Sequence, residues 1–180
     1  MKKKLVLLVM VLILAIPTIV TAGIYTAING GAGGAGNAPS ITFEFGGIIS
    51  DKVLASINMA FIFNGDNIPS NTCEYPLYHN DYTDIGVKQD GGEFALIGKY
   101  GIEIIKNKRV FAFLLCGLSF YDEVYLVQSN VTSWYYEQSS ETKTCGVYGG
   151  GFSCFPIKNI ILQIEYDNRR GIVGGIGYCW

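Results

Sequence analysis

The chain repeats one pattern in segment after segment: a bulky apolar residue, then a small or polar one, then a bulky apolar one again. The pattern is clearest at 171–180. One face there is Ile172, Gly174, Ile176, Tyr178 and Trp180; the other is Gly171, Val173, Gly175, Gly177 and Cys179. Period two is the signature of a β-strand. A strand bulky and apolar on one side, mostly glycine on the other, and stopping on an aromatic suits the closing strand of a membrane-spanning β-barrel.

The other end has the layout of a secretory signal peptide. Met1 to Lys4 is basic, Leu5 to Val20 is apolar and interrupted by Pro17, and Val20-Thr21-Ala22 supplies small residues before Gly23. The expected division is a signal peptide over 1–22 and one barrel domain over 23–180. The rival reading of 1–22 is an uncleaved anchor. It is disfavoured because a spanning helix needs about 20 uninterrupted apolar residues. Residues 1–22 hold three lysines and no acid, so ten bases and fifteen acids remain beyond them. No basic stripe appears, which argues against nucleic acid as a partner.

Alternation resumes at Ile41–Ser50 and Val53–Asn64, then at Glu93–Ile105, Arg109 to about Glu123, Thr144–Phe155 and Asn159–Asp167. Short turns at Asp51-Lys52, Lys106-Asn107-Lys108 and Pro156-Ile157-Lys158 alternate with long polar stretches at about 65–92 and 124–143. Tight turns on one side and long loops on the other are the habit of outer-membrane barrels. Closure requires an even strand count. Seven strands lie between Ile41 and Trp180, so the eighth must be Gly23 to about Gly33, although its glycines make it weak by local propensity.

Alternation alone does not say which face points outward, and a soluble lipocalin-like binding barrel has the same period with an apolar inside. The polar face decides for the membrane. It is rich in Gly, Ser, Asn and Ala, with isolated Glu44, Asn58, Lys99, Glu103, Gln163 and Glu165, as a narrow barrel interior requires. These six are expected to form a hydrogen-bonded plug that disfavours a wide pore. Phe63, Tyr100, Phe120, Tyr166, Tyr178 and Trp180 suit interfacial girdles. One strand fits badly: Phe111, Phe113 and Leu115 share the face that Gly117, Ser119 and Tyr121 turn inward. Either the barrel packs these bulky groups near its turn end, or a bulge shifts the register.

The stretches 93–127, 145–168 and 171–180 resemble the small eight-stranded outer-membrane barrels of the OmpX and OmpA transmembrane-domain type; the likeness is looser over 41–64. The resemblance implies an all-β fold class: a closed eight-stranded antiparallel up-and-down transmembrane β-barrel in the bacterial outer membrane. It also implies that Ile176, Tyr178 and Trp180 form the signal read by the outer-membrane assembly machinery. Most members of the family end in Phe, so Trp180 is a departure, and five cysteines are another.

Some barrels of this type modify lipid A, which raises His79, in a loop with Asp81 and Asp84, as a base, and Ser70 or a serine of the 124–143 loop as a nucleophile. A solvated loop histidine is the plainer reading. Glu74, Asp81, Asp84 and Asp90 read as ordinary loop acids, without the spacing of a calcium loop. Cys73 and Cys145 fall on the loop side, where an exported chain can form a disulfide. Cys116 is expected on the lipid face, and Cys154 and Cys179 lie on strands that are not neighbours. The Asn130-Val131-Thr132 sequon is a chance match in a bacterial protein, and 30–36 lacks the Lys-Ser/Thr of a phosphate loop.

The expected function is non-enzymatic, with no cofactor or metal: a structural barrel, or one that contacts a surface partner through loops 65–92 and 124–143, where Trp134, Tyr135 and Tyr136 suit a contact patch or equally an anchor against lipid headgroups. Its other partners would be outer-membrane lipid and lipopolysaccharide. The alternatives are a narrow channel or hydrophobic small-molecule conduit, a lipid A-modifying enzyme using His79, and the soluble lipocalin-like binder.

Overall fold

The computed structural model describes residues 23–34, 38–50, 53–63, 68–73, 81–105 and 108–180. The segment 1–22, His79, Glu74 and the Asp51-Lys52 turn lie outside the described residues. The strands are β1 (Ile24–Gly33), β2 (Ser40–Ser50), β3 (Val53–Ile62), β4 (Thr72–Cys73), β5 (Tyr82–Ile105), β6 (Val110–Ser129), β7 (Tyr135–Ile157), β8 (Ile160–Asp167) and β9 (Gly171–Cys179). All but the two-residue β4 form one antiparallel ring, in which β1 pairs with β9 and β7 with β8.

The weak first strand is therefore real. Ile24–Gly33 lies between Gly47–Ser40 of β2 and Cys179–Gly171 of β9, and closure satisfies its backbone. Local propensity disfavours its glycines; two flanking ladders override that.

The apolar face points outward all round the wall. Leu114 is 76 % exposed and Trp180 75 %, while Lys99, Glu44 and Glu165 are buried inside. This inversion excludes the lipocalin-like arrangement. Phe111, Phe113 and Leu115 point inward without a bulge, because β6 pairs continuously with β7 from Val110 to Tyr125. Gly151 lies opposite Phe113 and Gly149 opposite Leu115, which gives the bulky groups room.

The turn end of the lumen is filled by Tyr25, Ile48, Leu54, Phe111, Phe155 and Ile161. Phe155 packs edge-on against Tyr25 and Phe111, with ring centroids 6.4 and 5.9 Å away, and the Arg109 guanidinium caps it at 4.7 Å.

The long polar stretches are not simple loops, which corrects the sequence expectation. β5 begins at Tyr82 rather than Glu93, β6 runs on to Ser129, and β7 begins at Tyr135 rather than Thr144. Beyond the wall these three strands continue as a projecting sheet, in which Val124, Leu126 and Val127 are buried. Its β6 part, Tyr121 to Ser129, is roughly 30 Å long at about 3.3 Å per residue. The contrast between faces that marks a wall strand is absent where both faces leave the barrel, so alternation could not reveal it. The wall ends at a register shift between Asp90 and Phe94, where Gly91 takes φ 64°. A side-chain-bearing residue resists that backbone region.

Candidate functional site: a charged lumen and a projecting sheet

Five charged residues form a chain across the lumen. Glu44 accepts hydrogen bonds from Tyr25 (2.6 Å), Ser56 (2.7 Å), Asn29 (3.1 Å) and Lys99 (2.8 Å). Lys99 also donates to Gln163 at 2.9 Å, pairs with Glu165, and reaches the Asn58 carbonyl at 3.2 Å once that amide is turned to suit its neighbours. Arg170 then bonds Glu165 (2.7 Å), Asp167 (2.6 Å) and Thr42 (2.8 Å). At the loop-end mouth a third cation, Arg169, grips Glu93 with two nitrogens and lies 5.1 Å from the Tyr121 ring. Glu93 holds the Arg169 guanidinium above even its ordinary pKa.

Of the six interior residues expected from the sequence, Glu44, Asn58, Lys99, Gln163 and Glu165 meet in this network. Glu103 does not. It sits half-exposed at the turn end and accepts the Arg109 backbone N–H at 3.0 Å. Sequence reading missed Arg170, and it left Asp167 on the polar face of its strand, beside Gln163 and Glu165, without a part in the network. The available signal was charge: three acids against one lysine is a poor interior, and the nearest spare bases are in the turn 168–170. Close approach also matters here. A Cβ on Gly175 would fall 1.5 Å from the Asn29 side-chain oxygen, so only glycine lets Asn29 cross to Glu44.

Ile176 and Tyr178 of β9 and Trp180 just after it are exposed on the outer face; the Tyr178 and Trp180 rings meet edge-on at 5.0 Å, and Asn159 donates to the Tyr178 hydroxyl at 3.1 Å. The Cys73–Cys145 disulfide that the sequence left possible is not formed. Both thiols are free; Cys73 lies beside Tyr136 and Cys145 opposite Ser119. They are nine positions apart along β7, about 30 Å, far beyond disulfide reach. Cys116 faces outward, as expected.

The projecting sheet is acidic. Residues 81–92 and 121–143 hold seven acids and two lysines, which accounts for the whole excess of acid beyond residue 22. Two like-charged pairs stand directly across its strands, Asp90 opposite Asp122 and Glu123 opposite Glu141. Such pairs destabilise a sheet. Thr142 donates to Asp122 at 2.6 Å, and Lys143 pairs with Glu141 at 2.6 Å, which raises the Lys143 pKa. Asn130 is tied to Asp81 (2.7 Å) and Thr83 (2.8 Å) through both ends of its carboxamide. Trp134 is exposed, whereas Tyr135 and Tyr136 are half-buried beside β4. Among the described residues no His, Cys, Asp and Glu cluster could hold a metal ion.

β8 leaves β7 at Gly149, and β4 covers only Tyr135 and Tyr136. Asn168 meets the backbone of Gly146 and Tyr148. The β7 edge from Glu137 to Cys145 is therefore without a strand partner among the described residues.

A closed eight-stranded ring, apolar outside and ion-paired inside, with tight turns at one end, defines a small outer-membrane-type β-barrel. Solved structures of that shape include Ail, the attachment invasion locus protein of Yersinia pestis, in a phospholipid nanodisc: TM-score 0.52, 15% identity, with 89% of this chain and 100% of that chain covered. The crystal structure of Ail gives 0.50 and 16%, covering 88% and 94%. The N-terminal β-barrel domain of Pseudomonas aeruginosa OprF gives 0.51 and 11%, covering 88% and 97%. At these identities the likeness is one of fold. No family model and no curated protein matches the sequence.

Proposed function

We propose that the protein is a non-catalytic barrel of the bacterial outer membrane that contacts partners outside the cell through its projecting sheet. The observation that carries this reading is the continuation of β5, β6 and β7 past the wall as a paired sheet with an open edge. A structural barrel alone has no use for three strands of twice the wall length. In this reading residues 1–22 direct export, Ile176, Tyr178 and Trp180 engage the assembly machinery, and the apolar band sits among lipid and lipopolysaccharide.

The sign of the sheet narrows the partner. Ail has been crystallised with sucrose octasulfate, a heparin analogue and a polyanion. The sheet of this chain carries a net charge of −5 over residues 81–92 and 121–143, so a cationic surface suits it and a polyanion does not. The enzyme reading has little support. Asp81 is already bound to Asn130, and Asp84 lies against Tyr125, whose phenol is pushed up in pKa by desolvation and then by Asp84. The channel reading conflicts with a lumen filled by an aromatic cluster at one end and ion pairs above it.

The test uses the folded protein in nanodiscs, presented with polylysine and with heparin. Polylysine is expected to bind and to be released by salt, and heparin is expected not to bind. A variant carrying Asp122→Asn, Glu123→Gln, Glu137→Gln and Glu141→Gln should lose most of the polylysine signal. Equal binding by this variant would overturn the assignment to the sheet.

A further inference from the structure

β1 carries the least bulk on the lipid-facing wall, with Ile24, Thr26 and Ile28 followed by Gly30. Its neighbours are bulkier. Phe45 and Phe43 of β2 stand opposite Thr26 and Ile28, and Tyr178 and Ile176 of β9 stand opposite the same two residues from the other side. The three strands make a trough of about 620 Å³, with Thr26 and Ile28 as its floor.

The trough is amphipathic along its length. Its turn end holds the Thr26 and Tyr178 hydroxyls and Asn159, which donates to Tyr178, and the exposed Lys158 precedes Asn159 in the same turn. Farther up, the walls are Phe43 and Ile176 alone. Beyond Ile28, Gly30 of β1 faces Gly174 of β9, so the closing seam has no side chain to shield its backbone ladder from the bilayer.

A molecule that runs from phosphate through ester to hydrocarbon matches that layout. We propose that the trough seats one phospholipid of the leaflet at the turn end. Its phosphate lies against Lys158, its ester oxygens meet the Thr26 and Tyr178 hydroxyls, and one acyl chain runs over Ile28 toward the glycine seam. The lipid thereby covers the closing junction of β1 with β9.

This proposal rests on the membrane reading above, and its test separates the two. The protein purified in detergent is titrated with dioleoyl phosphatidylglycerol and examined by native mass spectrometry. One lipid adduct is expected to survive conditions that strip detergent. Ile28→Trp fills the trough floor and should abolish the adduct; Leu114→Trp, on the opposite wall, should keep it. Lys158→Gln should weaken retention about fivefold, the effect of one lysine at an anionic surface. Heat-modifiable gel mobility checks that each variant is folded, and Lys158→Gln, in an exposed turn, decides the matter if Ile28→Trp does not fold. A folded wild type that retains no lipid would overturn the proposal, as would equal retention by the two tryptophan variants or a dimer in place of the adduct. Failure of the membrane reading would show instead as extraction without detergent and no mobility shift.

Discussion

At the scale of single residues, Lys99 is the hinge of the lumen. It is buried between Glu44 and Glu165, fifty-five positions from the first of them. Removing one partner of a buried ion pair leaves the other charge uncompensated, at a cost of about 3–5 kcal/mol. Lys99→Met is expected to lose that much in urea titrations of the detergent-solubilised barrel, and adding Glu44→Gln should recover part of it. Gly175→Val makes a different demand. Its side chain would occupy the space of the Asn29 carboxamide, so the refolded yield should fall sharply while Gly174→Val, on the outward face, refolds. Refolding followed by heat-modified mobility distinguishes the two.

Elements show where sequence reading works and where it stops. Each wall strand has one face in lipid and one in the lumen, so its alternation is strong, and β2, β3, β8 and β9 stand close to where the pattern puts them. The projecting halves of β5, β6 and β7 meet water or neighbouring chain on both faces; Val124 and Val127 are both buried although they point to opposite sides. No simple period survives there. Arg170 was obscured for a related reason, since a turn residue belongs to no face until the barrel closes. The sheet makes its own prediction. Amides of Tyr121–Tyr125 in the central β6 should exchange slowly, while alternate amides of Glu137–Cys145 on the open β7 edge should exchange fast, as hydrogen exchange in nanodiscs will show. Uniform protection along both strands would mean that the edge is covered.

For the whole molecule, the lumen decides transport and the surface decides location. With Phe111, Phe155 and Tyr25 packed across the turn end and two arginines engaged at the other, reconstitution into planar bilayers should give no steady single-channel conductance. Replacing both Phe111 and Phe155 by glycine is expected to raise it. His79→Ala should leave the mass of lipid A unchanged when the protein is expressed in an outer-membrane host. A mass shift that depends on His79 would restore the enzyme reading.

The bond from Arg170 to Thr42 joins residues 128 positions apart, and Lys99 ties β5 to β2 and β8. The Arg170–Thr42 bond and the Lys99–Glu165 pair cross the lumen and come together only as the ring closes. Before then Glu44, Lys99, Glu165 and Arg170 need water, and a ring opened within the bilayer would turn them toward hydrocarbon at several kcal/mol apiece. Closure is therefore late in folding and hard to reverse. The protein should persist in the membrane through a high barrier to unfolding more than through a wide equilibrium margin, with a lifetime set by the rate at which its seam can part.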